Sequence, residues 1–206
     1  MLKILFICAY ILSSSAFASS PEYDRLSQKL SNLDDVKAGF VQHTFDGKGA
    51  LLQTQQGQLS LKRPNKFLWK SEEPYAQLLV SNGVMLWQYD ADLEQVTEQK
   101  LNQKLSATPA LLLSGDTKKI SQEYDIYSET LQDEEHFVLI PKQQDVLFDR
   151  LRLEFNSNGL LNRMVIKDEV GQKTIIRLQN VQTNQNLSDE VFNFKIPSGV
   201  DVIHNH

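Results

Sequence analysis

Cysteine is nearly missing. The only one, Cys8, lies close to the N-terminus, so the remainder of the chain can form no disulfide and do no thiol chemistry. It carries no lipid-attachment pattern either, because Ile7 precedes it and it falls early in an apolar run. Histidine is sparse. His43 and His136 stand alone in strand-like stretches, and His204 and His206 fall in a tail expected to be frayed and solvated. No His/Cys/Asp/Glu group has metal-ligand spacing. No G-x-S-x-G elbow is present. Gly171-Gln172-Lys173-Thr174 lacks the Gly-Lys pair and the upstream glycine of a phosphate loop, and reads as a hairpin turn. Asp34-Asp35, Glu72-Glu73 and Asp133-Glu134-Glu135 fall in turns, where solvated acids are the default. These gaps exclude the usual hydrolase, redox and metal chemistries, and no cofactor, metal or catalytic residue is expected. A basic excess is also missing: 21 Lys and Arg face 26 Asp and Glu, a net charge of -5. That argues against nucleic acid and anionic lipid surfaces as partners.

Only one long apolar run occurs, at the start. Lys3 gives a positive n-region, Ile4 to Leu12 an apolar stretch too short to span a bilayer, and Ala16-Phe17-Ala18 an A-x-A cleavage site. Residues 1–18 therefore read as an export signal, and residues 19–206 as one domain without a membrane span.

Ser20-Pro21 forms an N-cap and first helical position. Leu26, Leu30 and Leu33 follow at helical spacing, which predicts an amphipathic helix from Glu22 to Asp34. Strand signals then dominate, at 38–46, 51–55, 58–63, 67–70, 77–80, 84–89 and 94–97. Gln56-Gly57 reads as a turn between two of these, and Ser81-Asn82-Gly83 as a hairpin turn. Thr108-Pro109 starts a short helix, Ala110-Leu111-Leu112-Leu113-Ser114, closed by Gly115, with leucines expected to face away from any single packing surface. Strands resume at 124–128, 137–140, 150–155, 160–167 and 172–182, with a last one near 192–196. Roughly ten or eleven short strands joined by hairpins make an antiparallel meander that curls into a barrel or half-barrel. The two helices must bury their apolar faces, and plugging the barrel mouth is one solution.

The stretch Lys62-Arg63-Pro64-Asn65-Lys66-Phe67-Leu68-Trp69 stands out. Arg63 shares a strand face with Leu59 and Leu61, and Pro64 stops the ladder. A guanidinium at the rim of an apolar surface needs a partner or a purpose. Phe67 and Trp69 share a face of the next strand, and Met85 and Trp87 share another. Leu59, Leu61, Trp69, Met85 and Trp87 are candidates to line a cavity, although core packing explains them equally well.

Several segments together resemble the LolA family of periplasmic outer-membrane lipoprotein carriers. They are Phe40-Val41-Gln42, Gly57-Gln58-Leu59, the Arg63-Pro64 stretch, Val80-Ser81-Asn82-Gly83, Leu86-Trp87-Gln88-Tyr89, Glu94-Gln95-Val96-Thr97, Thr108-Pro109, Leu139-Ile140-Pro141-Lys142 and Pro197-Ser198-Gly199-Val200. The resemblance implies an incomplete, curved antiparallel β-barrel with an α-helical lid over an apolar cavity. It implies a monomeric periplasmic carrier of triacylated lipoproteins. The carrier is loaded by an inner-membrane ABC transporter and unloaded by the receptor lipoprotein LolB. It also implies that Arg63 latches the lid through main-chain carbonyls near Leu30, Leu113 and Ser114, and that Phe67 contacts the transporter. The alternative is a periplasmic lipid-sensing regulator of the same fold. Such regulators carry an additional C-terminal domain, whereas this sequence stops soon after Val202.

Overall fold

The computed structural model describes residues 20–101, 109–143 and 148–205. The expected export segment, Thr108 and His206 lie outside them. The first helix, α1 (Pro21–Ser31), starts where Ser20 accepts a hydrogen bond from Tyr23 N at 3.2 Å. Glu22 and Asp24 in its first turn and Lys29 in its last match the helix dipole. It ends three residues before Asp34, because Asn32 and Leu33 N–H groups fold back onto the Gln28 and Leu30 carbonyls.

Six strands follow: β1 (Asp35–Phe45), β2 (Leu51–Lys62), β3 (Lys66–Glu73), β4 (Gln77–Asn82), β5 (Met85–Asp90) and β6 (Gln95–Lys100). A helical interlude contains α2 (Pro109–Ser114), a 3-10 turn (Thr117–Lys119) and α3 (Ile120–Glu123). The chain continues with β7 (Tyr124–Leu131), β8 (Glu134–Pro141), β9 (Arg150–Phe155), β10 (Leu161–Lys167) and β11 (Lys173–Thr183). A 3-10 turn (Asp189–Phe192) precedes β12 (Asp201–Asn205). All the strands form one sheet in the order β12-β6-β5-β4-β3-β2-β1-β11-β10-β9-β8-β7. Neighbours pair antiparallel, except that β12 lies parallel to β6. The ends of the order, β7 and β12, do not meet, so the fold is mainly β, a curved sheet that stays open.

Cross-strand neighbours explain the core. Val36, Leu61 and Phe67 lie side by side on β1, β2 and β3. Phe137, Leu153, Met164 and Ile176 do the same on β8 to β11. Both rows face inward, and the helices bury Leu26, Leu30, Leu111 and Leu112 against them in a single cluster. Every residue from Ala110 to Ser114 is buried. The expected outward leucines are therefore absent: a sheet that curves round a short helix leaves it no open side.

Three further expectations are corrected. Gln56-Gly57 is not a turn but the middle of β2. A Cβ on Gly57 would lie 1.9 Å from the Lys70 carbonyl oxygen and 2.8 Å from Phe40, so glycine is there for close approach between strands. The segment 192–196 is not a strand, because its first residue closes a 3-10 turn and buries Phe192. Among the described residues the tail is not frayed as far as Asn205: residues 201–205 form β12, and His204 Nδ1 lies 3.5 Å from Glu98.

Candidate lid latch and cavity

The β2–β3 connection is only three residues long. Pro64 has no N–H to offer a ladder, the Arg63–Pro64 peptide is cis, and Asn65 takes a left-handed φ of 60°. This tight turn points the Arg63 side chain under the helices. Its Nε donates to the Leu33 carbonyl at 3.1 Å, its Nη2 to the Leu113 carbonyl at 2.5 Å, and its Nη1 to the Gly115 carbonyl. Arg63 N donates to the Asp34 carbonyl at 2.9 Å and Asn65 N to the Ser114 carbonyl at 2.8 Å. One turn thus grips the C-terminal ends of both α1 and α2, where helix carbonyls otherwise lack partners. Burial pushes the guanidinium down to about 10, opposed by Asp116 and Asp34, so it stays a cation at neutral pH.

Of the three expected carbonyls, Leu113 is used by the guanidinium. Leu30 and Ser114 are not. The Leu30 carbonyl already accepts from Leu33 N, and the Ser114 carbonyl from Asn65 N. The free carbonyls fall at Leu33 and Gly115, just past each helix. Gly115, visible in the sequence as a helix terminator, was the available signal. Along its side, α1 is also fastened by Glu135, which meets Arg25 Nε at 2.9 Å and Lys29 Nζ at 3.0 Å.

Beneath the latch lies an apolar space lined by Leu30, Leu33, Val36, Leu59, Leu61 and Leu113 among others. Only about 20 Å³ of it is free, on the scale of a water or two and far too little for an acyl chain. The lid leucines themselves fill the hollow of the sheet, so this is a closed form. Leu59 and Leu61 face this interior, and Trp69 packs beside it with its ring 4.7 Å from Phe40. Phe67 is completely buried, so in this form it offers no surface to a transporter.

Met85 and Trp87 do share a face, but it is the outer one. Leu86 alternates with them and joins the core, whereas Trp87 sits opposite Val80 on the other side. That outer face is apolar because residues 184–200 cross it. Phe192 buries itself against β3 and β4, and the Phe194 ring lies 6.1 Å from both Trp87 and Tyr89. Trp87 Nε1 donates to Glu98 at 2.7 Å. Strand parity separates two faces without saying which is inside, and here both are apolar.

The structure also gathers Glu134, His136 and Glu154, whose ligand atoms lie within 4.8 Å of one another. Cross-strand pairing does this, invisibly to linear spacing. Arg163 occupies Glu154 through Nη2–Oε1 at 2.9 Å and Nε–Oε2 at 2.5 Å, and Arg152 approaches to 3.8 Å. Hydrogen bonding to Glu154 raises the Arg163 pKa further. Two guanidiniums on one carboxylate compensate its buried charge and oppose a third cation.

Among the described residues no helix is long and apolar enough to cross a membrane. The profile of the outer membrane lipoprotein carrier protein family LolA matches residues 31–195. An outer-membrane lipoprotein carrier protein of Pseudomonas paraeruginosa is 47% identical over 205 residues, covering 98% of each chain. One of Azotobacter vinelandii is 46% identical over 199 residues, covering 94% of this chain and 96% of the relative. A crystal structure of a LolA superfamily protein from Nitrosomonas europaea overlays with a TM-score of 0.50 at 14% identity, covering 85% of this chain and 99% of that one. The chain belongs to the LolA family of outer-membrane lipoprotein carrier proteins, and its function is that of a carrier and not of an enzyme.

Proposed function

We propose that the chain works in the periplasm after loss of residues 1–18. There it takes lipoprotein acyl chains from an inner-membrane ABC transporter into the space under α1 and α2, and passes them to the receptor LolB. The observation that carries this reading is the single guanidinium of Arg63 on three lid carbonyls above an apolar, fully occupied hollow. An acyl chain needs cover worth ~0.8 kcal/mol per CH₂. To enter, it displaces lid leucines, each worth ~1.5–3 kcal/mol when buried. Hydrogen bonds from the guanidinium add ~1.5–3 kcal/mol each to closure. Gain and loss are of the same order, which lets the cargo enter and leave without a nucleotide on the carrier.

Arg63 is then the element that makes the empty form favourable. Arg63→Leu should fold, accept lipoprotein and fail to release it to the receptor, because closure no longer draws the equilibrium back. Co-purified lipoprotein after expression with the transporter, followed by incubation with the receptor, checks both halves. Phe67 enters this scheme as a core residue that lid opening uncovers. Phe67→Leu keeps an apolar side chain and should weaken transporter binding to the opened form. Unchanged binding in a pull-down would leave Phe67 a core residue only.

A further inference from the structure

The chain does not run straight from β11 to β12. It first crosses the junction where the lid meets the sheet. The Asn184 side chain donates to the Asn32 carbonyl at 3.0 Å and accepts from Asp34 N at 2.8 Å, with φ at 57°. The buried Asp35 carboxylate accepts from Gln185 N at 2.9 Å and Leu187 N at 3.0 Å. Lys62 Nζ donates to the Leu187 carbonyl at 2.7 Å. Ser188 then caps the 3-10 turn that projects Asp189. One Asp189 oxygen meets Lys62 Nζ at 2.7 Å, the other Lys66 Nζ at 2.6 Å.

Those two lysines are the last residue of β2 and the first of β3, and they pair directly across the strands. Like charges so placed repel. Between them lie only Arg63, Pro64 and Asn65, with a third cation in Arg63. Asp189 is thus the anion that closes the base of the latch turn. Its bonds to Lys62 and Lys66 hold its carboxyl down at about 2, so it is ionised throughout the neutral range.

We propose that Asp189 is a positioning residue for the Arg63 latch: by joining Lys62 to Lys66 it fixes the width of the turn that sets the guanidinium on the lid carbonyls, and so couples lid closure to the seating of the C-terminal strap. This rests on the reading of Arg63 as the latch. A charge that only decorated the surface would leave the lid unaffected.

Amide hydrogen exchange on the whole chain tests it, followed at Asn65 and Gly115, whose N–H groups bond within the latch region, and at β8–β9 as reference. Asp189→Asn should speed exchange at Asn65 and Gly115 by about 3- to 10-fold at low salt and leave β8–β9 unchanged. Asp189→Glu should restore most of the protection. Salt near 1 M should bring the unaltered chain to the Asp189→Asn rate by screening the exposed pairs. Unchanged lid exchange in Asp189→Asn, or equal acceleration in β8–β9, overturns the proposal. Arg63→Leu separates the two readings. Fast lid exchange there with slow exchange in Asp189→Asn sinks the Asp189 role alone, and slow exchange in both sinks the latch itself.

Discussion

At the scale of single residues, the proposed latch is a cation held by uncharged acceptors. Arg63 has five donors in a fixed plane and spends its reach on three carbonyls at or just past the C-terminal ends of two helices. Its charge does not change near neutrality, and neither does that of Asp189, so lid closure should not respond to pH between about 5 and 8. The Asp189 carboxyl is held below its ordinary value. Its contribution is therefore fully present above the unfolded value of 3.8 and is lost as pH falls towards about 2. Lid amide exchange, corrected for its intrinsic pH dependence, should stay flat from about pH 8 to 5 and rise only below about pH 4. A step near pH 6 would mean that another group controls the lid. The need for a partner at Arg63 was legible in the sequence, from its place beside Leu59 and Leu61 and before Pro64. The identity of its acceptors was not, because the free carbonyls depend on where each helix stops, and helix ends fray by a residue or two in any sequence reading.

At the scale of elements, local chemistry was a good guide wherever it was strong. The Ser81-Asn82-Gly83 hairpin, the Ser20 cap and strand β9 fall where the pattern puts them. It misled where a residue answers to a distant neighbour. Gly57 looks like a turn glycine, but the Lys70 carbonyl and the Phe40 ring, not a change of chain direction, demand the missing side chain. Gly57→Ala should keep the fold, push β3 away from β2 and cost about 1–3 kcal/mol, measured as a lower urea midpoint at constant slope. A midpoint unchanged from the parent would mean that the strands have slack at this point. The outer face was misread for a related reason. Met85 and Trp87 look like cavity lining because they are large and apolar, yet Trp87 meets the Phe194 ring, about a hundred residues later in the chain. No periodicity within β5 could report that, and β12 itself, a short parallel addition to β6, lacked a hairpin to announce it.

At the scale of the whole molecule, the hollow of the sheet is filled by the protein's own helices. The helices occupy the hollow, leaving about 20 Å³, so on the proposed function loading exchanges protein leucines for lipid methylenes with little net gain. That balance suits a carrier, which must hold its cargo through water and still give it up. In the proposed cycle it also makes the small latch energy decisive, because the burial of leucine and the burial of lipid nearly offset each other. The most direct measurement is transfer from the loaded carrier to the purified receptor, followed over time for the parent chain and for Arg63→Leu loaded to the same extent. An Arg63 latch predicts that the parent empties while Arg63→Leu keeps its lipoprotein; transfer by Arg63→Leu at the parent rate would contradict it.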